Sequence, residues 1–278
     1  MLGMLPGRAA RRVESPPDTE LVVRGVTIDR ARLAEYDRVC GFRLSDTLPA
    51  TYPHVLGYPL ALSLISSPEF PFQAVGLVHV ANRVTTHRPI DAGEALDLAV
   101  RAEDLRPHER GRQIDVVTVA TVGGEEVWRG VATYLHRSTA AQPAGPRRVD
   151  DDKPSPPIAG ATWRVPTRVG VDYARVSGDH NPIHTSRIGA RLLGFPRPIA
   201  HGMWSKARCL AAQEGRLPDA YTVDVAFKRP ILLPATVAFS ATPGERFALH
   251  HPKTGAPHLV GTLDSRPAGT SRQVQELA

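Results

Sequence analysis

Apolar and polar residues alternate in four stretches of the first half of the chain: Val75–Thr86, Ala95–Glu103, Arg112–Val122 and Glu126–His136. A period of two over such lengths, rich in Val, Thr and Leu, predicts half-buried strands. Asp91-Ala92-Gly93, Gly111 and Gly123-Gly124 punctuate them as turns. The second half repeats the pattern in Tyr221–Lys228, Thr236–Ala241, Arg246–His250 and His258–Leu263. Ahead of these strands the period changes. Met203, Ala207, Leu210 and Ala211 share one face of a helix predicted over His201–Glu214, with Gly215 as its stop. The matching helix of the first half is predicted over Pro59–Ser67, with Pro59 in its first turn. A long helix followed by an antiparallel meander, given twice, implies two α+β units in which each sheet wraps its helix.

The doubling is also visible residue by residue. Tyr36-Asp37-Arg38-Val39-Cys40-Gly41 and Leu56-Gly57-Tyr58-Pro59 recur as Tyr173-Ala174-Arg175-Val176-Ser177-Gly178 and Leu193-Gly194-Phe195-Pro196, both displaced by 137 (173−36, 194−57). Arg88-Pro89-Ile90 recurs as Arg229-Pro230-Ile231, displaced by 141 (229−88). Three matches in one order read as an internal duplication. The expected organisation is a disordered leader over 1–20, a first unit over 21–137, a linker over 138–158 rich in Pro, Ala, Ser and charge, and a second unit over 159–278.

Composition narrows the function classes. The 278 residues are 42% hydrophobic and 22% charged, close to globular averages, and no apolar run is long enough to span a membrane. The leader lacks the apolar core of a secretory signal, and the two cysteines, Cys40 and Cys209, have no metal-type spacing, so a reducing cytoplasm is expected. The net charge of +6 comes almost wholly from dispersed arginine, with only four lysines. Without a basic stripe interleaved with aromatics, nucleic acid is not the expected partner. A modest positive field suits an anionic ligand, such as a phosphate-bearing thioester or an acidic carrier protein.

The chemistry concentrates in Ser177-Gly178-Asp179-His180-Asn181-Pro182-Ile183-His184, followed by Gly194-Phe195 and then Ile199-Ala200-His201-Gly202-Met203. These segments resemble the signature of the MaoC-like, (R)-specific enoyl-thioester hydratase and dehydratase family, whose members carry a D-x-N-P-[IL]-H loop and then G-F-x-x-x-I-A-H-G-M. Ser186 departs from the acidic residue often found two positions after the loop histidine. The resemblance covers about Arg164 to Leu263, and the first half resembles the degenerate unit of double-hotdog members. It implies an α+β double hotdog and a hydro-lyase acting on trans-2-enoyl thioesters, with Asp179 and His184 activating water. It further implies Gly202 as a backbone oxyanion donor, Asn181 orienting the water or bracing the loop, and Tyr173, Ser177 and His201 supporting the site.

Such a reaction needs a base for the attacking water, a proton source for C2 and a donor for the enolate-like oxygen. It needs neither a metal nor a cofactor of its own; coenzyme A or phosphopantetheine enters as part of the substrate. A metal held by Asp179, His180, His184 and His201 is the weaker reading, because their spacing is not that of a common ligand set.

At a displacement of 137, Asp179, Asn181, His184, His201 and Gly202 fall on Phe42, Leu44, Thr47, Leu64 and Ile65. The first half then lacks the polar set. Phe42, Leu44, Leu64 and Ile65, with Trp204, are expected to line an acyl pocket suited to medium or long chains. One site per chain is expected, in a monomer or a homodimer. A hotdog thioesterase and a non-catalytic acyl-thioester binder remain the alternatives, and neither the carrier nor the direction of the reaction can be read from the residues.

Overall fold

Asp29 begins the first helix of the computed structural model, which describes residues 15–137, 158–242 and 244–265. Its side chain accepts from the N–H groups of Ala31 and Arg32, satisfying two donors that a helix start leaves open. The expected linker over 138–158 lies outside the described residues up to residue 157, as does the leader up to residue 14; Glu20 already belongs to a strand.

The first half runs β1 (Glu20–Val26), α1 (Arg30–Cys40), α2 (Tyr52–Ile65), β2 (Leu77–Thr86), β3 (Leu96–His108), β4 (Gly111–Val122) and β5 (Glu125–Arg137). The second runs β6 (Ala161–Val165), α3 (Val169–Ser177), α4 (Pro182–Thr185), α5 (Arg187–Leu192), α6 (Gly202–Ala211), β7 (Tyr221–Phe227), β8 (Ala235–Thr242), β9 (Arg246–His250) and β10 (Pro257–Asp264). The eight expected strands are present, and alternation fixes their faces: on β3, Leu96, Leu98, Val100 and Ala102 are buried while Asp97, Ala99, Arg101 and Glu103 are not.

All ten strands form one antiparallel sheet in the order β1-β3-β4-β5-β2-β7-β10-β9-β8-β6. Read outward from the middle, each half has the same order of its own strands. This is the double hotdog, closed into one continuous sheet by the β2–β7 seam, where Ala81 to Thr86 pair with Ala226 to Tyr221. Arg83 and Asp224 form an ion pair across it, and the hydroxyls of Thr85 and Thr222 meet at 2.9 Å.

Three expectations need correction. The strands do not form a simple meander: β2 pairs with β5 and β7, not with β3, because the 87–95 segment carries the chain across the sheet first. The short strands β1 and β6 were not anticipated. Helix α2 starts at Tyr52, with Pro53 in its first turn, so Pro59 sits inside it. An interior proline costs about 3 kcal/mol. Here the buried side chains of Val55, Ala61, Leu64 and Ile65 hold the helix on both sides of it.

The 137 displacement also fails beyond the first motif. Cys40 and Ser177 end α1 and α3, and Gly41 and Gly178 follow in the left-handed conformation at φ 82° and 79°, a true correspondence. Farther on, Thr47 bridges Asp91 as Ile199 bridges Leu232, and Leu48 donates to Ile90 as Ala200 donates to Ile231. Thr47 therefore corresponds to Ile199 at a displacement of 152 (199−47), while Ile90 still matches Ile231 at 141 (231−90). The second half thus carries fifteen additional residues (152−137) between Gly178 and Ile199. They build the Asp179 loop, α4 and α5.

Candidate active site

The inserted loop is braced mainly by its own short side chains. Ser177 Oγ accepts from the Asp179 N–H at 3.2 Å, and Asp179 Oδ1 accepts from the Asn181 N–H at 3.2 Å. Asn181 Oδ1 accepts from the Ile183 N–H and caps α4, whose first turn holds Pro182. Asn181 is exposed, so its observed work is bracing. Ser186, where an acidic residue is frequent in the family, caps α5 by accepting from the Gly189 N–H at 3.1 Å. Gly170 of α3 lies so close to α4 that a Cβ there would collide with the His184 carbonyl.

This framework brings together Asp179, His184 and His201. The His184 and His201 rings stack with centroids 3.6 Å apart, and ligating atoms of all three side chains lie within 4.8 Å of one another. His184 Nδ1 lies 2.8 Å from the Ile199 carbonyl. A carbonyl only accepts, so Nδ1 carries the proton and Nε2 presents a lone pair. His201 Nε2 lies 3.0 Å from the Asp179 carbonyl and by the same logic donates to it; its buried Nδ1 has no partner among the described residues.

Burial pushes both imidazoles below the usual histidine value, His201 to about 3, against the opposing pull of the Asp179 charge. Burial alone raises the Asp179 pKa, but coupling to the charge that His201 and His184 take on when protonated, together with the Asn181 N–H, outweighs it and holds the carboxyl below its ordinary range. The result is an ionised carboxylate beside a neutral imidazole lone pair, an arrangement able to accept both hydrogens of one water molecule. The same three side chains offer metal-ligand atoms, although each histidine already commits one N–H to a carbonyl.

Helix α6 follows directly. His201 stands at its N-cap, and no side chain caps it. The N–H of Gly202 therefore belongs to the uncapped, positive end of the helix. A Cβ on Gly202 would lie 3.0 Å from the Phe227 ring, so a larger residue there requires that ring to shift. One turn on, the fully buried Lys206 donates to Asn82 O, Asn82 Oδ1 and Val223 O at 3.0, 2.6 and 3.2 Å, tying α6 to both sides of the seam. Burial lowers its pKa well below that of a free lysine. Tyr173 is buried with its ring 4.9 Å from that of His201 and packs against the cluster.

The five residues expected to line an acyl pocket are not gathered. Leu44 is 67% exposed, and Leu64 and Ile65 face a separate core with Phe70, Val100, Ile114 and Val116. Trp204 is buried and donates to the Val39 carbonyl at 3.1 Å, joining α6 to α1. Phe42, which follows Gly41 as Asp179 follows Gly178, lines a hollow with Leu48, Pro49 and Leu210. The reason is the fifteen-residue shift: by strand pairing His201 and Gly202 correspond to Pro49 and Ala50, not to Leu64 and Ile65.

Instead, the first half reaches the site with side chains that the sequence did not single out in that role. Tyr58 of α2 packs against the turn before Asp179, its Cδ1 3.7 Å from where a Cβ on Gly178 would stand, and Tyr58, His54, His79 and Tyr134 lie close enough to feel the Asp179 charge. His79 stacks on Tyr134 and meets Phe227 edge-on, with ring centroids 4.9 and 5.0 Å apart. A break in β2 register between His79 and Ala81 accompanies this placement. No local spacing signals these contacts, which join positions 45 or more residues apart in the chain; only the alternation of β2 hinted that one of its faces turns inward.

Comparison with known proteins agrees with this architecture. The model of the MaoC like domain matches residues 161–252. 3-Hydroxyacyl-thioester dehydratase X of Mycobacterium tuberculosis is 39% identical over 264 residues, covering 94% of each chain. The crystal structure of HtdX from the same organism superposes with a TM-score of 0.78 at 38% identity, over 89% of this chain and 100% of that one. A MaoC-like dehydratase of Phytophthora capsici shares the fold, with a TM-score of 0.71 at 20% identity over 94% of this chain and 98% of its own. The chain belongs to the MaoC-like family of dehydratases and hydratases, in its double-hotdog form.

Proposed function

We propose that the chain is a hydro-lyase of fatty-acid metabolism that adds water to trans-2-enoyl thioesters, and in reverse dehydrates (R)-3-hydroxyacyl thioesters, carried by coenzyme A or acyl carrier protein. The observation that carries this reading is the closeness of the Asp179 carboxylate and the His184 lone pair, beside the uncapped start of α6.

In the hydration direction, Asp179 and His184 hold one water, and His184 Nε2 takes its proton as the oxygen bonds to C3. The C2–C3 π electrons move onto the thioester, whose developing oxyanion accepts from the Gly202 N–H. The proton is then returned to C2, and the enolate electrons form the new C–H bond. Water is added in full, with no net change at the protein. Ser177, Asn181, Tyr173 and His201 hold the loop; none needs to exchange a proton with substrate. The expectation of medium or long acyl chains rested on the apolar positions corrected above, so it loses that support.

The test is to incubate the protein with trans-2-enoyl-CoA, follow loss of the conjugated thioester absorbance and analyse the product with an (R)-specific 3-hydroxyacyl dehydrogenase. The expected outcome is (R)-3-hydroxyacyl-CoA with no release of free thiol. Free thiol from an intact enoyl group would make the chain a thioesterase. Binding without turnover of either carrier's substrate would make it an acyl-thioester binder.

A further inference from the structure

The seam between the two halves is joined to the start of α6 by one buried side chain. We propose that Lys206 is the positioning residue for the Gly202 N–H: by gripping the β2–β7 seam it fixes the direction from which that donor meets the thioester oxygen. This rests on Gly202 being the oxyanion donor.

Gly202 and Lys206 stand four positions apart on α6, and Val223 and Phe227 four apart on β7, so each pair shares one face of its element. The helix meets the strand at both points. A Cβ on Gly202 would lie 3.0 Å from the Phe227 ring, and Lys206 Nζ donates to the Val223 carbonyl at 3.2 Å. The same Nζ reaches across the seam to the carbonyl and the Oδ1 of Asn82 on β2, at 3.0 and 2.6 Å. Asn82 is itself buried and faces Val225 in the seam. Its Nδ2 donates to the Val131 carbonyl of β5 at 3.4 Å, which keeps Oδ1 turned toward the lysine. A slip of either strand would separate the acceptors that one Nζ now joins.

Other contacts hold α6 at different points. Ala200 donates to the Ile231 carbonyl where the chain enters the helix, and Trp204 donates to the Val39 carbonyl of α1. These secure the entry and the side toward α1, while Lys206 sets the tilt of the helix against the sheet. Packing does not account for the residue. It is fully buried against neutral amide oxygens, and an amine placed so is costlier to bury than a methionine of similar length. The tilt matters because an oxyanion donor works by its aim, and small misplacements there cost large factors in rate. Asn82 thus gives the first half, which lacks the acid–base pair, a hold on the donor of the second.

The experiment compares the full chain with Lys206→Met, Asn82→Ala and Asn82→Asp. It measures kcat and KM for trans-2-enoyl-CoA, the thermal unfolding midpoint, and the carbonyl carbon resonance of bound, carbonyl-13C-labelled enoyl-CoA at its hydration equilibrium. A donor aimed at the thioester oxygen polarises that carbonyl and displaces its resonance downfield from the free thioester. For Lys206→Met the expected result is a fall in kcat of roughly 10–100-fold with KM within about threefold, and loss of about half or more of the displacement. Asn82→Ala moves the same way by less, and Asn82→Asp, which restores the acceptor, recovers the displacement. A folded Lys206→Met with the full displacement overturns the proposal, whatever happens to the unfolding midpoint, because a merely stabilising lysine predicts that result. If Lys206→Met does not fold, the asparagine variants decide: equal displacement in Asn82→Ala and Asn82→Asp overturns the proposal equally. Wild-type turnover with no displacement removes Gly202 as the donor, and the proposal with it. Absence of wild-type turnover is the separate failure of the hydro-lyase reading.

Discussion

His184 is set up as a base before any substrate arrives. Its Nδ1 proton is committed to the Ile199 carbonyl, and burial disfavours the imidazolium more than the Asp179 charge favours it. Because its pKa is lowered, the basic form persists below the pH at which a free imidazole protonates. A profile of kcat/KM against pH is therefore expected to stay flat from neutral pH down past about 6.5 and to fall only below it. A limb centred at or above that value would mean that the imidazolium is stabilised in the site, contrary to this account. At this scale much was legible, because Asp179, Asn181 and His184 sit within six positions and their geometry is local. Tyr58, His54 and His79 were not, because what makes them relevant is contact across the two halves.

Among the elements, the inserted loop with α4 and α5 is where the two halves diverge. The alternating strands of both halves were readable, since a period of two and turn glycines need only neighbouring residues. The register between halves was not. The resemblance of Leu56-Gly57-Tyr58-Pro59 to Leu193-Gly194-Phe195-Pro196 proved misleading, as the first lies inside α2 and the second just after α5. The bridges of Thr47 and Ile199, with the backbone bonds of Leu48 and Ala200, reveal the fifteen-residue shift.

The contact between α3 and α4 gives an element-scale prediction. Alanine at position 170 gains up to about 1 kcal/mol of helix propensity over glycine. Its Cβ, however, meets the backbone carbonyl of His184, which cannot rotate away as a side chain could. The clash should win, lowering stability by roughly 1–3 kcal/mol and displacing His184. Urea unfolding and kcat of Gly170→Ala check this. Unchanged values for both would show that α4 can shift without consequence for the site.

On the scale of the whole molecule, the β2–β7 seam makes two hotdog units into one sheet and places the site where both contribute. The seam is polar at a buried point: Lys206 Nζ hydrogen-bonds Asn82 and the Val223 carbonyl, acceptors on opposite sides of it. Removing either partner would leave a buried polar group unsatisfied, so the orientation of α6 is bound to the pairing of the halves. Among the described residues, no helix is long and apolar enough to cross a membrane. A chain that forms the paired unit internally needs no second copy to assemble the Asp179–His184 pair.

The central claim is that Asp179 and His184 act on one water as a unit, in one site per chain. The most direct measurement is kcat for enoyl-thioester hydration in Asp179→Asn, His184→Ala and the double variant. Each single change is expected to lower kcat by roughly 10²–10⁴-fold, and the double variant should fall little further, because groups that act together are not additive. Losses that multiply in the double variant, or near wild-type turnover in either single one, would contradict it.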